Sequence, residues 1–511
     1  MVTLANTDTP IRAGACEGSR ASNVFSRTLW WAGLSNIGCR AISVSGTLLL
    51  AAILAPKDFG YLAIVTVVVA LAQSVFGAAF TPALVQSRGA VEEVAAAALW
   101  IALGASGAIY LGLWFLAPAL GTYYGMPQLS MLIRVSAVGI VANSASAVPL
   151  GLLQRRGEFK KFLMVGLVSQ ISGTGISIVL ALRGAGVWAL VLGLVANALV
   201  TAALAFVYAR WRPRIGDFRS ARPVIGFSLW VIAGGIQTWL FLYGDNAIAS
   251  RSFSTGALGV YVMGFNLANM LPGIVTSVVS VVAYPALCQV NRASPADVPS
   301  TFLDIQTVTA TLVLPIACLT AALAEPLATL VFRRAWADLG FTIEWLAILP
   351  GMCAVWSLNA DGYRAIGRPD LWPKISAASV GVLLPCLVVA ARYGPHAFVI
   401  TRCVAALPLP LLNMAVTARV LRISLHAQLA HLLPALIGGG ALLCATSGLL
   451  QMFHPAAPAL RAGYLIFCGC AGLGVYLFIL RITGPHVWER ARTALRSLRT
   501  APRPTLAAEV S

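Results

Sequence analysis

Four charged residues stand four or more residues inside long apolar runs of this chain. Arg40, Arg134 and Arg402 each lie within a stretch long enough to cross a bilayer, and Asp245 lies near the end of another. An arginine at the centre of a membrane helix costs about 2.5–3.5 kcal/mol on insertion scales and is usually turned to a partner or a polar cavity. Guanidinium keeps its charge and offers a planar fork of donors that matches phosphate and carboxylate. The three arginines are therefore candidate substrate-binding residues of a cationic cavity. Arg40, about eleven residues into its run, sits near the midplane. Its competing role is an interhelical ion pair or a bond to a carbonyl. Arg134 and Arg402 enter shallower, where snorkelling to the interface also accounts for them. Asp245, with Arg251 just beyond it, either pairs with an arginine or carries a coupling proton. Trp230, Trp239, Tyr243 and Tyr261 are types that stack on sugar rings, and equally types that form aromatic belts.

Other chemistries are poorly provided for. The chain has no Walker A loop and no His-x-x-x-His or Glu-x-x-His cluster. His396, His426, His431, His454 and His486 fall at the edges of apolar runs or between them. Nine of the ten cysteines lie in or beside those runs and read as small hydrophobes. No catalytic residue, metal site or cofactor is expected. A polysaccharide polymerase or ligase would carry a large external loop, and every loop on the expected outer side is short.

The elements that position these residues are membrane helices. The 511 residues are 59% hydrophobic and 10% charged, with mean hydropathy +0.85, against about 25% charged for a soluble domain. A bilayer core needs about 20 apolar residues per helix. Fourteen such runs fill residues 29–54, 61–85, 96–119, 129–153, 162–182, 186–209, 224–249, 258–286, 303–324, 341–360, 372–391, 396–418, 430–453 and 460–481. The expected fold is all-α and polytopic. Pro118, Pro149, Pro272, Pro315 and Pro350 are expected to break helices within the bilayer, where they are candidate hinges.

Basic residues orient the spans. With the N-terminus inside, 25 of the 35 Lys and Arg fall on inner segments and 7 on outer ones. Over short loops that is a strong positive-inside signal, and it puts both termini in the cytoplasm. The net charge of +18 is thereby spread over inner loops facing anionic lipid, and nucleic acid is not an expected partner. The N-terminus is polar through Arg27, so the first span is expected to serve as an uncleaved insertion signal.

The chain also echoes itself. Phe25-Ser26 with Trp30 is matched by Phe227-Ser228-Leu229-Trp230. Phe59-Gly60-Tyr61 is matched by Leu258-Gly259-Val260-Tyr261, and Pro82-Ala83-Leu84 with Gln86 by Pro285-Ala286-Leu287 with Gln289. Six spans separate the copies, so they run the same way through the membrane, as parallel transporter repeats do. The expected organisation is a cytoplasmic N-terminus (1–28), a six-helix bundle (29–209) and a basic linker (210–223). A second six-helix bundle (224–418), two extra helices (430–481) and a basic tail (482–511) follow.

These residues resemble a known family. Leu54-Ala55-Pro56-Lys57-Asp58-Phe59-Gly60 and Gly184-Ala185-Gly186-Val187-Trp188-Ala189-Leu190-Val191 are similar to hallmarks of Wzx-type oligosaccharide flippases. These form the polysaccharide-exporter branch of the multidrug/oligosaccharidyl-lipid/polysaccharide superfamily. Leu153-Gln154-Arg155-Arg156 with Phe159, Gly367-Arg368-Pro369-Asp370 and Leu258-Gly259-Val260-Tyr261 also fit, over about residues 20 to 420. The resemblance implies a bacterial inner-membrane protein of two bundles. It implies translocation of undecaprenyl-diphosphate-linked oligosaccharide to the periplasmic leaflet by alternating access. The product would be exopolysaccharide, capsule or O-antigen. Expected partners are the polyprenyl-diphosphate-linked oligosaccharide and membrane lipids, with a polysaccharide polymerase and a chain-length regulator as candidates. The alternatives are a cation-coupled drug antiporter or lipid II flippase of the same superfamily, and, from another class, a membrane-embedded glycosyl- or acyltransferase.

Overall fold

The structure, a computed structural model, describes residues 38–76, 91–213, 222–453 and 457–485. Among them there are helices and turns but no strands. The helices are α1 (Gly38–Ile53), α2 (Pro56–Phe76), α3 (Val91–Tyr123), α4 (Pro127–Arg155), α5 (Phe159–Leu182), α6 (Val187–Ala209) and α7 (Arg222–Ser252). They continue as α8 (Thr255–Ala293), α9 (Val298–Val331), α10 (Leu339–Ala365), α11 (Leu371–Ala390), α12 (Pro395–Val404), α13 (Pro408–Val420), α14 (Leu425–Met452) and α15 (Pro458–Thr483). The described part of each of the fourteen expected runs coincides with helix, α12 and α13 sharing one; residues 29–37 and 77–85 of the first two runs lie outside the described residues. Twelve spans among the described residues are long and apolar enough to cross a membrane, and the chain is a multi-pass membrane protein. Phe25, Ser26, Trp30, Pro82, Ala83, Leu84 and Gln86 of the sequence echo lie outside the described residues.

The chain divides into two compact units. One holds residues 1–54 and 65–239; the other holds 55–64 and 240–511. Within the second unit the hallmark segment at the start of α2 has a physical explanation. Pro56 opens the helix, where its missing N–H costs nothing. Asp58 Oδ2 accepts from the Ala55 N–H at 3.1 Å and caps the turn. Phe59 packs edge-on against the buried Trp336 ring at 5.5 Å. Gly60 meets backbone: a Cβ there would lie 1.9 Å from the Thr255 carbonyl oxygen. Gly259 is its counterpart, since a Cβ there would lie 1.8 Å from the Pro56 oxygen. Each glycine thus faces the carbonyl four residues before the other, a reciprocal contact between α2 and α8 that only hydrogen at Cα permits.

Backbone conformation repeats in the same way. Gly157 and Gly367, Gly186 and Gly394, and the non-glycine Arg210 and Arg422 all have positive φ, at spacings of 210, 208 and 212 residues. The first pair ends α4 and α10, the second precedes α6 and α12, and the arginines follow α6 and α13. Three turns of the chain are thus built twice. Beside one of them Asp370 accepts from Lys374 Nζ at 2.8 Å and Arg368 Nε at 3.1 Å. These bonds, that to Lys374 foremost, hold its carboxyl down at about 2.

The prolines depart from expectation. Pro118, Pro149, Pro272, Pro315 and Pro350 sit inside continuous helices. A lone proline removes one N–H, and the carbonyl four residues earlier can take another donor. The Trp114 oxygen, freed by Pro118, accepts from Arg134 Nε at 3.2 Å. The Thr311 oxygen, freed by Pro315, accepts from the Tyr476 hydroxyl at 2.8 Å, which ties α15 to α9. The actual interruption is at residues 405–407, ahead of Pro408 and Pro410, where two N–H groups are lost within one turn.

Candidate functional site

Asp245, Tyr261 and Arg402 stand at matching depth. Asp245 is seven residues before the end of α7, Tyr261 six after the start of α8, and Arg402 seven after the start of α12. At 1.5 Å per residue each lies about 10 Å from its helix end. The second unit brings them together. Arg402 Nε donates to Asp245 Oδ2 at 3.0 Å, and the Tyr261 hydroxyl donates to the same oxygen at 2.7 Å. The Asn246 N–H donates to Oδ1 at 2.7 Å. Asp245 and Tyr261 are each 2% exposed and Arg402 6%.

Aromatic rings close the site. Phe398 meets the Tyr261 ring edge-on at 5.3 Å and Phe253 at 5.2 Å. The guanidinium carbon of Arg402 lies 5.8 Å from the Phe265 ring centre. Beside the site, a shallow cleft is lined by Tyr261, Phe341, Thr342 and His396, whose ring packs on Phe341 at 4.6 Å. His396 Nε2 is 3.8 Å from Asp338 at its rim.

A buried ion pair seldom adds net stability over apolar residues of the same shape, yet removing one partner strands a charge at about 3–5 kcal/mol. The arrangement fixes the order of α7, α8 and α12. Its carboxylate oxygens are occupied by a guanidinium, a phenol and a backbone N–H. No group of three metal-ligating side chains occurs among the described residues.

The other candidates are dispersed. Arg134 lies on α4 with its guanidinium carbon 4.6 Å over the Trp114 ring, serving the carbonyl that Pro118 released. Arg40 is exposed on α1, whose Gly38 and Gly46 pack on Leu167 and Thr174 of α5. Of the aromatic candidates, Tyr261 belongs to the ion-pair network. The Trp239 indole donates to the Val67 oxygen at 3.0 Å. Tyr261 was legible only as an aromatic near a span end. Its depth, equal to that of Asp245 across the short α7–α8 turn, was the available signal.

Comparison with known proteins shows what the chain resembles. The chain is 26% identical over 362 residues to the succinoglycan biosynthesis transport protein ExoT of Rhizobium meliloti (strain 1021), covering 70% of this chain and 73% of that protein. It is 19% identical over 365 residues to the lipopolysaccharide biosynthesis protein WzxC of Escherichia coli (strain K12), covering 71% and 74%. Among solved structures, the lipid II flippase MurJ in an inward closed conformation shares the fold. The TM-score is 0.68 at 12% identity, over 88% of this chain and 97% of that one. An inward-facing multidrug resistance transporter of the MATE family superposes with TM-score 0.61 at 14% identity, over 76% and 95%. Residues 49–340 match the family described as polysaccharide biosynthesis protein, more than half of the sequence, and the chain belongs to that family.

Proposed function

We propose that this protein flips a polyprenyl-diphosphate-linked oligosaccharide from the cytoplasmic to the periplasmic leaflet of a bacterial inner membrane, supplying exopolysaccharide, capsule or O-antigen assembly. Family membership over residues 49–340 carries the reading. The relatives bear on it too, since the matched Rhizobium protein is a succinoglycan biosynthesis transport protein. Both termini are cytoplasmic, from 25 inner against 7 outer basic residues. The repeats 29–209 and 224–418 move by alternating access, and the chain transports without catalysing a reaction. A polysaccharide polymerase and a chain-length regulator would take up the product.

Arg40 is the residue proposed to meet the diphosphate, because it is the candidate arginine left exposed along its helix. Arg134 holds helices through the Trp114 carbonyl, and Arg402 does so through its ion pair with Asp245. The buried acid that a drug antiporter would offer to a cationic substrate is already neutralised by Arg402. Deleting the gene should stop surface polysaccharide and leave lipid-linked repeat units accessible only from the cytoplasmic side. Undiminished polysaccharide in a strain with no second flippase would overturn the proposal.

A further inference from the structure

A second polar cluster lies in the same unit, on α9, α10, α13 and α14. Gln306, Asn359, Asn413 and Gln428 are each 0% exposed. Three of these amides are held by their N–H groups. Asn359 Nδ2 donates to Thr417 Oγ1 at 2.8 Å, Asn413 Nδ2 to the Leu409 oxygen at 3.1 Å, and Gln428 Nε2 to the Met414 oxygen at 3.3 Å. The bonds leave the opposite ends unmatched: Asn359 Oδ1, Asn413 Oδ1 and Gln428 Oε1 are buried without a partner. So are both ends of the Gln306 amide and the Trp356 indole N–H.

Bonds join three of these residues into a polar layer: Asn359 and Tyr363 both bond to Thr417 Oγ1, the Tyr363 hydroxyl also donates to the Asn413 backbone oxygen, and Gln428 donates to the oxygen of Met414, next to Asn413. Ala310, Val355, Met414 and Leu432 belong to one apolar cluster. Gln306, Asn359 and Gln428 each stand one helical turn from one of its members, and Asn413 precedes Met414. On the other side Phe302 and Leu421, one turn from Gln306 and Thr417, belong to a second apolar cluster. The polar residues are thus flanked along their helices by the two apolar clusters. Each unmatched buried group costs about 1–3 kcal/mol, so six would rival a typical total stability of about 5–15 kcal/mol. The occupant must donate to four oxygens and accept from two N–H groups. A metal cation serves only the oxygens; water serves both.

We propose that this layer is an internal water site, holding about two molecules at roughly three hydrogen bonds each. Bonds through water link α9 and α10 to α13 and α14 and can be exchanged as the helices shift, without stranding a buried polar group. The inference does not depend on the transported substrate.

X-ray hydroxyl-radical footprinting of the full chain in nanodiscs tests it, because radicals formed from bound water oxidise adjacent side chains that bulk solvent does not reach. Met414, 5% exposed, follows Asn413 and accepts from Gln428 at its carbonyl oxygen, and Met263, 0% exposed, lies on α8, outside the four helices of the layer. Met414 should be oxidised several-fold faster than Met263, with Trp356 and Tyr363 also marked. Equal slow rates at the two methionines would overturn the proposal. Gln306→Leu with Asn413→Leu should lower the Met414 rate several-fold, and an unchanged rate in a folded variant would also overturn it. Should the variant fail to fold, the ratio of the two methionines in the unaltered chain decides.

Discussion

Arg402 and Asp245 show how a buried charge depends on its partner. Arg402→Ala should lower stability by about 3–5 kcal/mol, because Asp245 is left buried without its partner. Arg402→Met combined with Asp245→Leu should recover most of the loss, read as melting of detergent-extracted protein. A double variant as unstable as the single one would show that the pair contributes more than its own neutralisation. Arg134 allows a cleaner cycle. Arg134→Met should cost about 1–3 kcal/mol by stranding the Trp114 carbonyl. In a Pro118→Ala background the new N–H takes over that oxygen, and the same change should cost well under half as much. Equal costs in both backgrounds would remove Arg134 from that role. Arg40 differs from both: Arg40→Ala should abolish export while the chain still reaches the membrane in normal amount.

Among the elements, the crossing of α2 and α8 is the most exacting contact. Gly60→Ala or Gly259→Ala drives a methyl into a backbone carbonyl that cannot move aside. Either change should sharply reduce the amount of folded protein in the membrane. Gly256→Ala, on the same turn of α8 with nothing within 4 Å, should be silent. Size-exclusion profiles of fluorescent fusions separate the two outcomes. The paired arginines Arg210 and Arg422 hold left-handed backbone, which costs a side-chain-bearing residue about 1–2 kcal/mol. A cation at a helix C-terminus returns about 0.3–1 kcal/mol of this. Replacing either by Gly should therefore leave stability unchanged or raise it by up to about 1 kcal/mol. A clear loss would show that the arginine side chains hold those turns. Sequence legibility was uneven at this scale. Helix positions followed from hydropathy, because lipid demands about 20 apolar residues wherever a chain crosses it. Whether a proline interrupts its helix did not follow, since Arg134 and Tyr476 come from other helices to supply the missing donors.

For the whole molecule the 25 to 7 division of basic residues predicts topology. Reporter fusions in the 210–223 linker should behave as cytoplasmic, and fusions in the turn at 183–186 as periplasmic. The reverse pattern would overturn the orientation and with it the direction of transport. The sequence by itself determined that the chain is helical and membrane-spanning, how its spans are ordered, that it contains a repeat and which family its motifs resemble. All of these are local or additive properties: runs of apolar residues, sums of charge, short motifs around prolines and glycines. Only the tertiary structure decided which intramembrane charges meet. Asp245 and Arg402 are 157 positions apart, and either could have faced a cavity at the same cost in hydropathy. The order in which α7, α8 and α12 pack joined them. Pairing is decided by packing because an ion pair of a few kcal/mol acts over a few ångströms, while hydropathy registers only how many such groups a span contains.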